Sequence, residues 1–363
     1  MTTFAKMKIG ILIPTFNRCS YLADALRSAR EQTHQNIEMI VIDNGSADGT
    51  TAFMESVSDP RVRHVINEAN IGMIGSINKG MGLFSEEVTW CTILGDDDLL
   101  DKDFIMTLLC SANDSKAKSI IHSHRIFIDQ RGNKIREATV SPREETAFDY
   151  MKSRAYAKRE TYLTGVLFNR EAFDGIGGYP SFSTGLASDD AFIFALALKD
   201  RLVFGQSAIA YIRIHEGAES VHYSNGMRKL ETVRQFGEYC EKVARQNGNH
   251  SQEQFRAFGG TFKKYLRRLY SHCWIQAAHC AMNQENEVPL VELLHRVNRN
   301  WDDFSFRVRF AVACHNVAGI FPEASRAYRT CWANIFNASQ LIRGKAPLLP
   351  RKRGSDEAIR GGS

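Results

Sequence analysis

Short apolar runs alternate with amphipathic stretches along the first half of this 363-residue chain. The runs at 8–13 (KIGILI) and 38–42 (EMIVI) are apolar on both faces, which is typical of strands buried inside a parallel sheet. Between them, apolar residues recur at helical spacing from Ser20 to Gln32, and Ser20 is positioned to cap that helix. Further runs predict strands at 62–66, 88–94, 119–129 and 202–214, and helices at 50–56, 74–84, 104–112 and 191–198.

This alternation predicts βαβ units, and hence an α/β protein with a mostly parallel sheet flanked by helices. Turn residues at 130–133 predict a hairpin after the strand at 119–129. From about Asn225 the pattern changes to long helices. We therefore expect a first domain at 7–222, a mainly helical C-terminal region at 223–345 and a disordered tail at 346–363.

The net charge of +5 hides an asymmetry between the two halves of the chain. The first 220 residues carry a formal charge of −5, whereas the residues from Val221 onward carry +10. The basic, aromatic-rich C-terminal helices predict either contact with an anionic membrane surface or a solvated face packed on the first domain. The acidic N-terminal half and the lack of a recognisable motif argue against nucleic-acid binding.

Segments that would direct the chain into or across a membrane are not evident. No apolar stretch reaches the length of about 18 residues that a spanning helix needs, and the N-terminus lacks the apolar core of a signal peptide. The eight cysteines are scattered, without metal-ligand spacing, as expected in a reducing compartment. We expect a cytoplasmic protein, with peripheral contact at the inner face of the cell membrane left open.

Polar residues follow successive predicted strands. The segment Pro14-Thr15-Phe16-Asn17-Arg18 follows the first strand, Asp43 ends the second, and Asn70 lies just before the helix at 74–84. Open α/β sheets bind ligands at the carboxyl edge of their strands. There, backbone groups after Pro14 would read a nucleobase, Asp43 would accept a hydrogen bond from a base N–H, and the helix start near Asn70 would favour a diphosphate. Plain turns and a helix cap at Asp48 explain several of these residues equally well.

Three adjacent carboxylates, Asp96, Asp97 and Asp98, follow the buried run at 88–94. Like charges packed together cost free energy unless a cation offsets them, and carboxylate oxygens suit hard divalent ions. The sequence therefore predicts a cation site at the same edge of the sheet.

In combination, these motifs strongly resemble those of the family-2 glycosyltransferases, which have a GT-A type, Rossmann-like fold. The resemblance covers about residues 7–222. The matching segments are PTFNR (14–18), VIDNGSADGT (41–50), NEANIG (67–72), NKG (78–80), ILGDDDLL (93–100), GIGGYP (175–180), SDDAFIFALAL (188–198) and YIRIHEGAES (211–220).

The resemblance implies inverting transfer of a sugar from a nucleotide sugar, most often a UDP-sugar, to a saccharide or lipid-linked acceptor in surface-polysaccharide synthesis. Thr15, Asn17 and Asp43 would then surround the base and ribose, with Pro14 and Arg18 in the same binding segment. The acidic cluster would hold Mn²⁺ or Mg²⁺ on the donor diphosphate.

One departure from the family pattern makes the metal-ligand register ambiguous. The family usually has Asp-x-Asp-Asp, whereas this chain has Gly95 at the first position. We expect Asp98 as the direct metal ligand, and Asp96 or Asp97 near the ribose and the water shell, with Asp96 as an alternative ligand. His215 is a candidate third ligand or diphosphate contact.

The acceptor side is predicted from the later motifs. The resemblance implies that Asp190 is the catalytic base, with Asp189 in place of the family's usual Glu. Gly178 would let the backbone pass close to the acceptor, and Tyr179 would stack on an acceptor sugar.

Two other functions stay open. A sugar-nucleotide pyrophosphorylase would need a Gly-rich, Arg-containing loop where this chain has PTFNR. A non-catalytic nucleotide-sugar-binding scaffold in an assembly complex is the other alternative, because Gly95 interrupts the acidic motif. The oligomeric state is not predicted.

Overall fold

A mixed sheet of ten strands forms the centre of the computed structural model, which describes residues 6–115, 117–215, 226–247 and 252–282. The strands are β1 (Lys8–Thr15), β2 (Ile37–Asp43), β3 (Val62–Ile66), β4 (Val88–Ile93), β5 (Leu99–Leu100), β6 (Ile120–Ile128), β7 (Lys134–Glu137), β8 (Glu144–Glu145), β9 (Val166–Asn169) and β10 (Leu202–Arg213). The described helices are α1 (Cys19–Arg30), α2 (Thr50–Glu55), α3 (Gly72–Met81), α4 (Phe104–Ser115), α5 (Ala147–Ala155), α6 (Arg170–Gly175), α7 (Ser188–Lys199), α8 (Gly226–Gln246) and α9 (Gln252–Met282).

The strand order is β3-β2-β1-β4-β9-β6-β10-β5, with β7 paired to β6 and β8 paired to β10. Strands β3, β2, β1 and β4 run parallel, as do β6 and β10. The shorter strands β5, β7, β8 and β9 pair antiparallel with their neighbours. The expected α/β architecture is therefore confirmed, and the carboxyl ends of β2, β1 and β4 lie side by side.

The long strands and helices predicted from hydrophobic periodicity are present within a few residues of the expected bounds. The predicted hairpin after β6 is also present, where the Gly132 amide donates to the Asp129 carbonyl at 3.0 Å. One expected helix cap is wrong: Ser20 lies inside α1, whose cap residue is Arg18. The Asp48 carboxylate accepts from the Cys19 amide at 2.8 Å, so a neighbouring loop caps α1 instead. Asp48 also accepts from the amide and hydroxyl of Thr50 at the start of α2, although Gly49 is the cap residue of that helix.

The chain divides into two compact units, Met1–Tyr270 and Ser271–Ser363. The first unit thus extends beyond residue 222 and includes α8 and most of α9. The part of the expected helical region beyond Met282 and the expected tail at 346–363 lie outside the described residues. No helix in the described part of the chain is both long enough and apolar enough to cross a bilayer.

Close packing between α3 and β1 fixes one side of the candidate site. Gly80 of α3 faces Leu12 of β1, and both residues are buried. A Cβ atom on Gly80 would lie 2.4 Å from Leu12 Cδ1, closer than any ordinary contact. Only a residue without a side chain allows the helix to approach the strand this closely.

We expect Gly80→Ala to lower the free energy of unfolding by about 1–3 kcal/mol, because overpacking outweighs the better helix propensity of alanine. The matched control is Gly82→Ala, whose new Cβ would make only an ordinary contact of 3.5 Å. Urea unfolding of both variants measures the difference. Equal stability of the two variants would contradict the proposed close packing.

Candidate functional site

The loops that follow β1 and β2 meet, and hydrogen bonds between side chains and backbone join them. The backbone N–H of Asn17 donates to Ser46 Oγ at 2.8 Å, and the backbone N–H of Ala47 donates to Asn17 Oδ1 at 2.8 Å. Asn17 has a left-handed backbone, with φ of 53°, a conformation that Asn tolerates better than most residues. Asn17 therefore shapes the loop that surrounds the end of β2.

Asp43 lies at the end of β2 and is fully buried. Its Oδ1 accepts from the Ser46 amide at 2.9 Å and from Ser46 Oγ at 2.6 Å. Its Oδ2 has no hydrogen-bond partner in the described part of the chain, and His64 Nε2 lies 3.8 Å away. His64 Nε2 is likewise buried and without a hydrogen-bond partner in the described part of the chain. A buried carboxylate oxygen without a donor is costly, and a hydrogen bond to Asp43 Oδ2 from a ligand stays a prediction.

The start of α3 is held by a network of amide side chains. Asn44 Oδ1 accepts from Ser76 Oγ at 2.8 Å, and Lys79 Nζ donates to Asn67 Oδ1 at 2.6 Å. Asn70 Oδ1 accepts from the Gly72 amide at 2.8 Å. Asn70 thus supports the first turn of α3, and a diphosphate contact by its side chain stays a prediction.

The acidic cluster, Asp96 to Asp98, follows β4 and faces the segment after β1. Asp96 accepts from Thr15 Oγ1 at 2.8 Å and from Arg18 Nη1 at 3.1 Å. Arg18 Nη1 also donates to Asp97 Oδ2 at 2.9 Å. The segment 14–18 and the acidic cluster, about 80 residues apart in sequence, are therefore joined directly, with Pro14 itself inside β1.

The last strand and the loop before β9 complete this cluster. His215 Nε2 lies 2.9 Å from Asp97 Oδ2, and the Arg213 amide donates to Asp98 Oδ1 at 2.9 Å. Thr164 hydrogen bonds to Asp98 and accepts from the Gly95 amide at 2.9 Å. His215, which sequence reasoning placed at the metal, contacts the cluster, whereas residues 216–220 of the same motif lie outside the described part.

Burial makes this cluster electrostatically unfavourable. Burial and the neighbouring Asp97 charge raise the pKa of Asp96 to about 6, although Arg18 opposes the shift. The same two causes raise the pKa of Asp98 well above its usual range. Arg18 does not fully offset the negative charge, so a further cation bound here would be favoured.

A second pair of carboxylates, Asp189 and Asp190, begins α7. Asp190 is 3% exposed, and Arg154 of α5 binds it through Nε to Oδ1 at 2.7 Å and through Nη2 to Oδ2 at 3.0 Å. The Tyr150 hydroxyl donates to Oδ1 at 2.7 Å, and the Tyr265 hydroxyl of α9 donates to Oδ2. Burial alone would raise the pKa of Asp190, but Arg154 and the two tyrosines outweigh it and lower that pKa.

Asp189, the neighbouring residue, is only partly buried. Its Oδ1 accepts from the Tyr179 hydroxyl. Burial raises the pKa of Asp189 to about 6, with a further contribution from the Asp190 charge, while the Tyr179 hydrogen bond, Arg125 and Arg154 oppose the increase. The two adjacent carboxyl groups thus have opposite pKa shifts.

Tyr179 does not present its ring to a ligand. It is 2% exposed, and its ring packs against Phe192 with centroids 5.0 Å apart. Asn78 holds its backbone from both sides, at 2.8 and 3.0 Å. The expectation that Tyr179 stacks on an acceptor sugar is therefore corrected: it positions Asp189. Gly178, with φ of 88°, leaves room for Asn78, whose Oδ1 lies 2.8 Å from the position of a Cβ.

Comparison with known proteins identifies this combination of fold and site. Residues 10–177 match the model of glycosyl transferase family 2. This segment, less than half of the chain, is therefore identified as a family-2 glycosyltransferase domain. An uncharacterised glycosyltransferase of Nostoc is 25% identical over 237 residues, which cover 64% of this chain and 72% of that protein.

A second relative is named for a specific activity. The GalNAc(5)-diNAcBac-PP-undecaprenol beta-1,3-glucosyltransferase of Campylobacter jejuni is 25% identical over 213 residues, 56% of this chain and 67% of that protein. Succinoglycan biosynthesis protein ExoO of Rhizobium meliloti is 28% identical over 110 residues, which cover 30% of this chain and 31% of ExoO. Both relatives therefore cover only parts of this chain.

Solved structures confirm the GT-A type fold. TarS of S. aureus, residues 1–349 in complex with UDP, has a TM-score of 0.61 at 15% identity and covers 93% of this chain and 90% of its own. The mannosyltransferase PcManGT from Pyrobaculum calidifontis, in complex with GDP-Man and Mn²⁺, has a TM-score of 0.51 at 15% identity, covering 93% and 85%. At this identity the likeness shows the fold alone.

The donor atoms of the acidic cluster fit a divalent metal ion in chemistry but are not assembled around one. In the described ranges, no group of three His, Cys, Asp or Glu side chains is arranged to hold an ion. Arg18 and His215 occupy oxygens of Asp96 and Asp97. Hard carboxylate oxygens with raised pKa values nevertheless suit Mg²⁺ or Mn²⁺, since the ion replaces a proton.

The residues that bind the carboxylate of Asp190 were not predicted from the sequence. Helix α5, which supplies Tyr150 and Arg154, carries a detectable signal, because the Thr146 hydroxyl accepts from the Asp149 amide as in a capping box. Tyr265 carries no such signal, since it lies 75 residues from its partner Asp190.

We expect Arg154→Leu to lower the free energy of unfolding by about 3–5 kcal/mol, because it leaves the buried Asp190 charge without its partner. Adding Asp190→Asn to this variant should restore part of the loss, since the uncompensated charge is then gone. Urea unfolding measures both effects. The control is Arg201→Leu, which breaks an exposed ion pair with Glu144 and should change the free energy of unfolding little, because solvent screens such pairs. Similar losses in the two single variants would contradict this account.

Proposed function

We propose that this protein is a metal-dependent, inverting glycosyltransferase that moves a sugar from a nucleotide sugar to an acceptor hydroxyl. The observation that carries the proposal is the unpartnered, buried Oδ2 of Asp43. That atom lies on the same sheet edge as the acidic cluster, in the strand order β2-β1-β4. A carboxylate oxygen that can accept a hydrogen bond from a base N–H thus lies near an anionic cluster that favours a cation. This combination fits a nucleoside diphosphate bound through a metal ion.

The donor half of the site orients the nucleotide and receives the leaving group. Asp43 would accept the N–H of uracil or guanine, while Thr15 and Asn17 line the path from the base to the ribose. Asp98, with Asp96 and His215 as further donors, would hold Mg²⁺ or Mn²⁺. When bound, that ion neutralises the negative charge that develops as the nucleoside diphosphate departs. Arg18 adds a second positive charge at the same place.

The acceptor half supplies the base. The sugar is transferred when an acceptor oxygen attacks the anomeric carbon, and one carboxylate of the Asp189 and Asp190 pair removes its proton. Inversion at that carbon follows from a single displacement. The activities for which the Campylobacter and Rhizobium relatives are named support a saccharide or lipid-linked acceptor in surface-polysaccharide synthesis.

A thermal-shift experiment tests the donor assignment. We expect stabilisation by UDP-glucose, UDP-N-acetylglucosamine or GDP-mannose with Mn²⁺, and little with EDTA, because a ligand that binds only the native state stabilises it. At a hundredfold excess over Kd the gain is about 2.7 kcal/mol, or roughly 5–10 °C for a domain of this size. No shift with any donor would contradict the proposal.

Two variants separate the contributions to donor binding. Asp98→Asn should abolish only the metal-dependent part of the shift. Asp43→Asn should weaken donor binding with or without metal. The Ser46 donors keep an acceptor at the Oδ1 position, which turns the new amide N–H toward the base N–H. Donor binding without turnover on any acceptor would favour the scaffold alternative.

A basic surface formed by α5, α9 and the loop after α5 supports membrane contact. Lys152, Lys158, Lys263, Lys264 and Arg267 are exposed, as is Tyr156, whose ring centroid lies 4.0 Å from Lys264 Nζ. The segments 150–159 and 256–282 contain no acidic residue, although Asp149, Glu160 and Glu253 lie just outside them. Because Arg154 and Tyr265 on the same elements bind Asp190, this surface adjoins the acceptor half of the site. We propose that it rests on an anionic bilayer that carries the acceptor.

We expect the protein to bind phosphatidylglycerol vesicles and not phosphatidylcholine vesicles in flotation at low salt. Lys263→Gln with Lys264→Gln should weaken that binding on the order of 30-fold, because each cation near the surface contributes about 1 kcal/mol. The matched control, Lys242→Gln with Arg245→Gln, removes the same charge from α8, where acidic residues alternate with basic ones. Equal weakening in both pairs would mean that net charge alone causes binding.

A further inference from the structure

The two carboxylates that begin α7 are not equivalent, and their surroundings distinguish their roles. The family pattern points to the second of them, Asp190, as the base. In this chain Asp190 receives four hydrogen bonds from three side chains on two other helices. A carboxylate has about four lone-pair sites, so no site is left for an acceptor hydroxyl.

Protonation of Asp190 would also disrupt its surroundings. A proton on either oxygen must displace a donor, and it would leave the guanidinium of Arg154 without its counter-charge. Arg154 is largely buried, with 17% of its side chain exposed, so its unpaired charge would be costly. Asp190 is therefore held as a permanent anion, a state that the start of α7 also favours.

Asp189 differs from Asp190 in its exposure and in the number of hydrogen bonds that it receives. It is partly exposed, and only one of its oxygens, Oδ1, receives a described hydrogen bond, from Tyr179. Its Oδ2 has no hydrogen bond from any side chain or amide in the described part of the chain. The charged and titratable groups that act on it are Asp190, Arg125, Arg154 and Tyr179. A pKa of about 6 leaves it ionised at neutral pH yet more basic than an ordinary carboxylate.

We propose that Asp189, and not Asp190, is the base that takes the acceptor proton, and that Arg154, Tyr150 and Tyr265 are positioning residues that fix Asp190 as a neighbouring anion. The inference rests on the proposed glycosyl transfer. Helix α9, which follows the region that resembles the family, thereby contributes to the catalytic site through Tyr265.

The step balances as a single displacement. The acceptor oxygen forms a bond to the anomeric carbon as the bond from that carbon to the diphosphate oxygen breaks. The bonding electron pair leaves with the nucleoside diphosphate, and the acceptor proton moves to Asp189 Oδ2. The fixed charge of Asp190 favours this transfer, because it disfavours a second ionised carboxylate beside it.

Donor hydrolysis, in which water replaces the acceptor, tests the assignment without knowledge of the natural acceptor. UDP release from UDP-glucose or UDP-N-acetylglucosamine is followed in the full-length protein with Mn²⁺. Asp189→Asn should lower kcat by about 10²–10⁴-fold and leave donor binding, measured by thermal shift, unchanged. Asp189→Glu should recover part of the rate. A folded Asp189→Asn variant that loses less than a hundredfold overturns the proposal.

Tyr265→Phe tests the positioning role, and it retains the ion pair of Asp190 with Arg154. In the wild type, kcat should fall as the pH drops below about 6, because Asp189 becomes protonated. Without the Tyr265 hydrogen bond, the Asp190 charge acts more strongly on Asp189, so this acidic limb should move to higher pH. The control is Tyr239→Phe, which removes a buried hydroxyl on α8 that has no described partner. An acidic limb that is unmoved in Tyr265→Phe overturns the role of α9.

These outcomes are distinguishable from a failure of the proposed function. If no nucleotide sugar stabilises the wild type, glycosyl transfer itself is rejected. If donors bind and are hydrolysed, but Asp190→Asn loses the rate while Asp189→Asn keeps it, only the base assignment is overturned.

Discussion

Negative charge in places that are largely shielded from water is the constraint on which the rest of the site depends. Three carboxylates, Asp96, Asp97 and Asp98, follow β4, and two more, Asp189 and Asp190, begin α7. Burial raises the pKa of three of them, Asp96, Asp98 and Asp189. Such groups stay ionised only where a cation or several donors compensate for the lost water. Each half of the site meets this requirement differently.

The surrounding fold supplies the compensation from distant parts of the chain. Arg18 follows β1 and bridges two residues that follow β4, whereas Arg154 ends α5 and binds the start of α7. These ion pairs require that neighbouring helices and strands pack closely. The absence of a side chain at Gly80, for example, allows α3 to approach β1. The loop network around Asn17, Ser46 and Asp48 fixes the segment that carries Arg18. Packing and charge compensation are therefore parts of the same arrangement.

Much of the donor half could be predicted from the sequence, because it depends on local signals. Buried strands followed by polar residues predict a common sheet edge, and Thr15, Asp43 and Asp96 do lie on it. The acceptor half depends on contacts between distant residues. Tyr265 and Arg154 reach Asp190 through helix packing that no local pattern encodes, and the short strands β5, β8 and β9 lack the length that makes periodicity detectable. The stacking role expected of Tyr179 was wrong because sequence does not show which way a ring turns.

The difference between the two halves follows from the type of cation that each contains. Asp190 is bound by the guanidinium of Arg154 and by two hydroxyl donors, so the protein alone compensates its negative charge. The acidic cluster has Arg18, which contacts Asp96 and Asp97 but leaves Asp98 with raised proton affinity. In the proposed function, the uncompensated negative charge of this cluster favours an exchangeable cation, whereas Asp190 needs none. The chain thus combines an incompletely compensated anionic cluster after β4 with a fully compensated carboxylate at the start of α7, and the base that we propose lies beside the second of these.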